Sequence, residues 1–266
     1  MTCYLPDCWK EVASRTKTAS RVIIFLDYDG TLNPVALRPE LALLPPRIGE
    51  ILRKLAFRGN FEVGIISGRS LAEIKALIGL GGLAYAGNHG LEIECREEAF
   101  VHPMATKASS LLKELYSQLV ERLAGISGII LEDKQFSLSV HYRLVAKSEV
   151  KKVKALFREV VEASEKQGKV RITEGKEVIE VRPPVDWDKG KAIEWLLSRY
   201  QAENSVVIFA GDDVTDEDGF NFVNQINGIS IRVGEATALS CADYYVHSPE
   251  ELCLWLEKLA ESGSAP

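Results

Sequence analysis

The chain has 266 residues, 46% of them hydrophobic, and a formal net charge of -6. That length carries one large domain or two smaller ones around a real core, and a modest, dispersed negative charge gives no general attraction to nucleic acid or an anionic membrane. No apolar run is long enough to cross a bilayer, and the polar opening with Asp7, Lys10, Glu11 and Arg15 lacks a signal-peptide segment, which points to a cytoplasmic protein without nucleic-acid or membrane partners.

Residues 1–20 offer only a possible short helix. Arg21–Leu26 is almost wholly apolar and β-prone, as a strand covered on both faces would be, and the run breaks abruptly at 27–31. Pro45 and Pro46 suit a helix start, and Ile48, Ile51, Leu52 and Leu55 recur at helical spacing before Gly59. A buried strand is expected at Phe61–Ile66. Ser70 and Glu73 then spell a capping box for a helix whose apolar face is Leu71, Ile74 and Ile78, followed by a short strand at 83–86. This alternation predicts a parallel sheet with right-handed crossovers, whose ligands collect beyond the carboxyl ends of the strands.

The texture changes in the middle of the chain. Over 136–143, Phe136, Leu138, Val140 and Tyr142 alternate with Ser137, Ser139, His141 and Arg143, so one face is core and the other is wet or functional. Helices with apolar positions Leu112, Leu115 and Leu119, and Val150, Val153, Phe157 and Val160, suit the covering of that sheet. A hairpin around Glu174 and Gly175 leads into Val178–Arg182, and Pro183 with Pro184 makes a stiff return. The first texture then resumes, with a helix over 189–200, strands at 206–210 and Ile229–Val233, and a last helix opened by Ser248, Pro249 and Glu251 as a second capping box. Residues 261–266 read as a frayed tail. The fold class expected is α/β, a parallel-sheet core from 1–92 and 184–266 with a smaller α/β domain inserted over 93–183. The five cysteines, Cys3, Cys8, Cys95, Cys241 and Cys253, are odd in number and scattered, and read as reduced thiols.

Polar residues cluster at the expected strand ends. In FLDYDGTL, Asp27 and Asp29 stand two apart, Gly30 lets the backbone turn so that its N–H groups, with Thr31 beside them, face an anion, and the paired carboxylates repel unless a cation or proton is shared. Magnesium suits them, since it takes oxygen ligands and bridges to phosphate. In GDDVTDEDGF, Asp212 and Asp213 follow a buried strand, whereas Asp216, Glu217 and Asp218 serve equally as favourable charges at a helix N-terminus. Ser67 and Arg69 in IISGRS offer donors to phosphoryl oxygens, though Ser-Gly after a strand is also an ordinary turn. Lys189, in the first turn of a helix, is either a solvated charge or a partner for a nearby anion.

DYDGTL, SGR, a lysine at a late helix start and GDDVTDED occur in the order of the motifs of the haloacid dehalogenase superfamily of phosphatases. DYDGTLNPV, GNHGLEI and GDDVTDEDGF further resemble the trehalose-6-phosphate phosphatase family, over about Arg21 to Ala260, with Gly219 standing where alanine is expected. The resemblance implies a Rossmann-like core, an inserted cap, a Mg2+ cofactor, and hydrolysis of trehalose 6-phosphate through an aspartyl-phosphate. It implies Asp27 as nucleophile, Asp29 as acid and base, Ser67 and Lys189 on the phosphoryl oxygens, and a metal held by Asp27, the backbone carbonyl of Asp29, and Asp212, with Asp213 in support and Asp216 as a further candidate. Glu132, Lys134 and Glu180 match cap positions that grip distal glucose hydroxyls, with His141 and Arg143 on the same polar face. Asn88, His89 and Glu92 fall where core meets cap; Asn88 and His89 are candidate substrate-binding positions, and His89 is given no chemistry. A trehalose-phosphate synthase is the implied functional partner. Readings that stay open are a phosphatase for sucrose 6-phosphate or a glycosyl phosphoglycerate, a phosphotransferase, and a non-catalytic sugar-phosphate sensor partnering a synthase.

Overall fold

The computed structural model describes residues 2–200, 203–237 and 239–262. They form two compact units, one running up to Ala99 and resuming at Trp187, the other Phe100–Asp186. In the first unit, strand β1 (Cys3–Tyr4) precedes helix α1 (Trp9–Thr18), β2 (Arg21–Leu26), α2 (Pro46–Ala56), β3 (Phe61–Ile66), α3 (Leu71–Ile78), β4 (Ala84–Gly87) and β5 (Glu92–Cys95), and β6 (Glu98–Val101) runs across the boundary between the two. The second unit contributes α4 (Pro103–Leu123), β7 (Ile130–Asp133), β8 (Leu138–His141), α5 (Val150–Lys166), β9 (Arg171–Gly175) and β10 (Val178–Arg182). The first then continues with α6 (Lys189–Leu197), β11 (Ser205–Gly211), α7 (Glu217–Gln225), β12 (Ile229–Val233), β13 (Tyr244–Val246) and α8 (Pro249–Ser262). Of the fraying expected at 261–266, residues 261 and 262 belong to α8 and 263–266 lie outside the described residues.

The large sheet has the order β1-β13-β12-β11-β2-β3-β4-β5-β6. Its pairs from β1 to β4 are parallel, and β5 turns antiparallel on β4. RVIIFL makes the central strand β2 because both faces are covered, and five of its six residues are buried. Its last residue, Leu26, pairs with Ala210 on one side and Ile65 on the other. The loops beginning at Asp27, Ser67 and Asp212 therefore leave one edge of the sheet side by side, which is the edge where ligands collect in parallel α/β folds. Ile48, Ile51, Leu52 and Leu55 of α2 join Ile24, Leu26 and Leu256 in one buried cluster.

Several local expectations are corrected. Ser70 Oγ accepts from the Glu73 N–H at 3.3 Å, but the Glu73 carboxylate turns to Arg69, so the box is half made. At α8 the Ser248 hydroxyl accepts from Glu251, while the Glu251 side chain bonds the His247 N–H, one residue upstream of a closed box. The strand read over 136–143 is shorter, because Tyr142 opens a turn that Val145 closes with a hydrogen bond to its carbonyl. The helix expected over 189–200 ends at Leu197, its last turn tightening into Arg199 and Tyr200. Cys3 and Cys8 form a disulfide, because the turn at Tyr4 and Leu5 brings the end of β1 over the start of α1. Cys95, Cys241 and Cys253 are free. Among the described residues no helix is long and apolar enough to cross a membrane.

The second unit is a four-stranded antiparallel sheet in the order β7-β8-β10-β9. Strand alternation sends Leu138, Val140, Ile179 and Val181 to one face, where they pack with Leu112, Leu115, Leu119, Val153 and Phe157 of α4 and α5. The opposite face carries Glu132, Ser139, His141 and Glu180.

Candidate active site

Asp27, Asp212 and Asp216 each offer a carboxylate oxygen, these atoms lie within 4.8 Å of one another, and all three residues are buried. Gly30 makes the approach possible. At φ +87° it adopts a left-handed conformation, and a Cβ there would stand 2.3 Å from the Asp212 carboxylate. On the other side Asp216 lies over Gly211, where a Cβ would meet its carboxylate carbon at 2.3 Å. Asp216 is fixed by accepting from the N–H groups of Asp212 and Asp213, both at 2.9 Å, in a capping box closed by Asp213.

Lys189 supplies the balancing charge. Asp188 caps α6 by accepting from the Lys191 N–H, and the Lys189 ammonium donates to Asp27 Oδ1 at 2.7 Å and Asp216 Oδ1 at 2.5 Å. Burial pushes the Asp27 carboxyl well above the ordinary range; Lys189 opposes the shift, and Asp216 and Asp212 add to it. Burial also disfavours the Lys189 ammonium, but Asp216 and Asp27 outweigh it and raise its pKa. Three buried carboxylates around one ammonium suit a hard divalent cation, which takes oxygen ligands and relieves their repulsion. Asp27, Asp212 and Asp216 are the residues that would hold it. Asp213 was also expected as a ligand; its side chain accepts from the Val214 N–H and caps the turn.

Asp29 stands apart from that trio. Arg69 grips it with a fork, Nε to Oδ2 at 2.7 Å and Nη2 to Oδ1 at 2.9 Å, and the same guanidinium bonds Glu73 and the Pro39 carbonyl. Ser67 is buried, its hydroxyl accepting from the Arg69 N–H at 3.2 Å. Thr31 Oγ1 and Asn33 Oδ1 are buried polar atoms without a hydrogen-bond partner, in the loop that follows Asp27. Such atoms are costly unless a ligand meets them. Asn33 lies within the DYDGTLNPV segment, which carries no assigned role for it.

Asn88, His89 and Gly90 follow one another with φ of 49°, 56° and 93°. That tight left-handed turn is pinned by Asn88 N–H on the Arg69 carbonyl and His89 N–H on the Ser67 carbonyl. Glu92 accepts from Asn88 Nδ2 and from the Leu71 N–H, both at 2.7 Å, and ties the turn to α3. Gly68 leaves room for the His89 ring, which a Cβ would meet at 2.8 Å. Gly219, where alanine was expected, is explained by Phe209: its ring lies 2.3 Å from where a Cβ would be.

In the second unit, Glu132, Lys134, His141 and Glu180 come together. Lys134 Nζ donates to Glu180 Oε1 at 3.2 Å and lies 3.7 Å from Glu132 Oε2, which contacts His141 Nε2 at 2.6 Å. Ser139, which the alternation placed on this face without a role, donates to Glu180 Oε1 at 2.9 Å. Arg143 is turned to the β9–β10 turn instead, bonding Glu177 and the Lys176 carbonyl.

Residues 25–250 match the family model described as trehalose-phosphatase. The chain is 34% identical to a probable trehalose-phosphate phosphatase 3 of Oryza sativa subsp. japonica, covering 95% of this chain and 73% of that one. It is 36% identical to a trehalose-phosphate phosphatase of Mycobacterium bovis over 91% of its own length, and spans 62% of that relative. Its fold matches the C-terminal domain of a C. albicans trehalose-6-phosphate phosphatase with a TM-score of 0.85 at 24% identity, covering 98% of each chain. A haloacid dehalogenase-like hydrolase from Bacteroides thetaiotaomicron shares the fold at a TM-score of 0.62, 17% identity, and coverage of 90% and 99%. The chain belongs to the trehalose-phosphatase family of phosphoric monoester hydrolases, on the haloacid dehalogenase fold.

Proposed function

We propose that this protein hydrolyses trehalose 6-phosphate to trehalose and phosphate with magnesium, in trehalose biosynthesis, downstream of the synthase that makes the ester. The observation that carries the reading is the meeting of Asp27, Lys189, Asp212 and Asp216, brought from distant parts of the chain to one edge of the parallel sheet. The first unit is read as the hydrolase core and the second as the cap that recognises sugar.

Asp27 attacks phosphorus, forming a carboxylate–phosphorus bond as the bond from phosphorus to the sugar oxygen breaks. Asp29, in its protonated form, gives that proton to the departing oxygen, and the Arg69 fork holds the carboxylate so produced. It then takes a proton from the water that attacks the aspartyl-phosphate, which releases phosphate and restores the Asp27 carboxylate. Lys189 holds developing negative charge, and Ser67 and Thr31 donate to phosphoryl oxygens. A bound magnesium ion would supply charge neutralisation between the carboxylates and the phosphoryl group.

Sugar recognition is assigned to Glu132, Lys134 and Glu180, whose carboxylates accept from hydroxyls and whose ammonium donates to them. Phosphate release from trehalose 6-phosphate, sucrose 6-phosphate, a glycosyl phosphoglycerate and glucose 6-phosphate, ranked by kcat/KM with magnesium or with a chelator, tests the reading. Trehalose 6-phosphate should rank first and the chelator should abolish turnover. A different leading substrate, or tight binding without turnover, would replace it with one of the neighbouring readings.

A further inference from the structure

The polar face of the second unit holds a residue that neither the motifs nor the family roles account for. Glu132 lies opposite Ser139, Ser139 opposite Glu180, and Glu180 opposite Thr173. Side chains directly opposite one another in antiparallel strands share a face, so these four make one continuous row across β7, β8, β10 and β9. Three members of the row are engaged: Glu132 with His141, and Ser139 and Glu180 with each other, the Glu180 oxygen also taking Lys134. The fourth is different. Thr173 Oγ1 is closed off from solvent and makes no hydrogen bond. A buried hydroxyl left unbonded destabilises the fold, and a valine of the same shape would avoid the loss.

Glu180 thus has hydroxyl neighbours on both flanks and uses the one on Ser139. Its carboxylate lies 3.2 Å from the Lys134 ammonium, so a sugar hydroxyl that enters between the two takes the place of that contact. A buried carboxylate that exchanges an ammonium for a neutral hydroxyl is less well compensated, and a further donor makes up part of the difference. We propose that Thr173 is a positioning residue for sugar recognition: its hydroxyl is a second dock for the Glu180 carboxylate, taken up when a sugar hydroxyl enters between Lys134 and Glu180. This rests on the reading of Glu132, Lys134 and Glu180 as the sugar-recognising residues.

The test compares wild type, Thr173→Val and Thr173→Ser on trehalose 6-phosphate and on glucose 6-phosphate, which lacks the distal ring. Thr173→Val should raise KM for the disaccharide ester about tenfold with kcat nearly unchanged. Constants for glucose 6-phosphate should not move, and Thr173→Ser should restore the wild-type KM. Because it removes an unbonded buried hydroxyl, Thr173→Val should also melt higher, by about 2–4 °C. An unchanged KM, an equal effect on both esters, a serine variant as impaired as valine, or a lower melting temperature would each overturn the proposal. Wild type that does not favour the disaccharide ester would overturn the assignment of these residues to sugar, and the role of Thr173 with it.

Discussion

The polar cluster of the first unit is gathered from three distant segments at strand ends and a helix start, whereas that of the second is laid out by strand register and held by neighbours one strand apart. Asp27, Lys189, Asp212 and Asp216 meet only because the strands end together and because Gly30 and Gly211 leave space for carboxylates. Glu132, Ser139, Glu180 and Thr173 need no special backbone; alternation alone puts them on one face. The first arrangement should therefore be fragile to a single methyl group in a loop, and the second sensitive to which polar atom a strand residue carries.

Gly30→Ala sharpens that contrast most. Its Cβ would displace the Asp212 carboxylate, and magnesium affinity and turnover should fall about 10- to 100-fold with the second unit unaffected. Calorimetric titration with magnesium and a kcat measurement check it; unchanged binding would mean that Asp212 is not a ligand. A smaller effect separates stability from chemistry. The Cys3–Cys8 link, with a sequence separation of 5, ties β1 at the outer edge of the sheet, with β13 and β12 between it and β11. Cys8→Ser should cost about 2 kcal/mol in a thermal melt, leave kcat/KM unchanged, and make the melt insensitive to reductant.

The smallest effect concerns the turn that Glu92 ties down. Burial raises the Glu92 carboxyl above its ordinary value, against the Leu71 and Asn88 hydrogen bonds that lower it. The folded protein then binds the proton more tightly than the unfolded chain, so stability falls as pH rises through the folded pKa. Glu92→Gln keeps an acceptor oxygen without the charge. Its melting temperature relative to wild type should drift upward from pH 4.5 to 7; a flat or falling difference would contradict the burial effect.

Buried parallel strands were legible because their apolar runs are unbroken: the bounds read for β2, β3 and β12 are the observed ones. β5 and β6 were not foreseen, since EIEC and EAFV are short and carry Glu92, Glu94 and Glu98. β1 is only two residues long, too short for any period to register. The convergence of the two acidic loops followed from parallel topology, but which acids converge did not. Asp216 reads as a helix-start charge until the Asp213 capping box turns it inward, and the Arg69 fork on Asp29 closes a gap of 40 residues that no local pattern spans. In the second unit alternation placed Ser139 on the polar face but left its partner, Glu180, unknown, because register between β8 and β10 is set by a connection of over thirty residues that includes α5 and β9.

The central claim is that Asp27 is the nucleophile. Rapid acid quench of wild type during turnover of trehalose 6-phosphate with magnesium, followed by peptide mass analysis, should find one phosphoryl group on the peptide carrying Asp27, labile to hydroxylamine and missing in Asp27→Asn. Continued turnover in Asp27→Asn at a rate near wild type, or a phosphoryl group trapped on another residue, would contradict it.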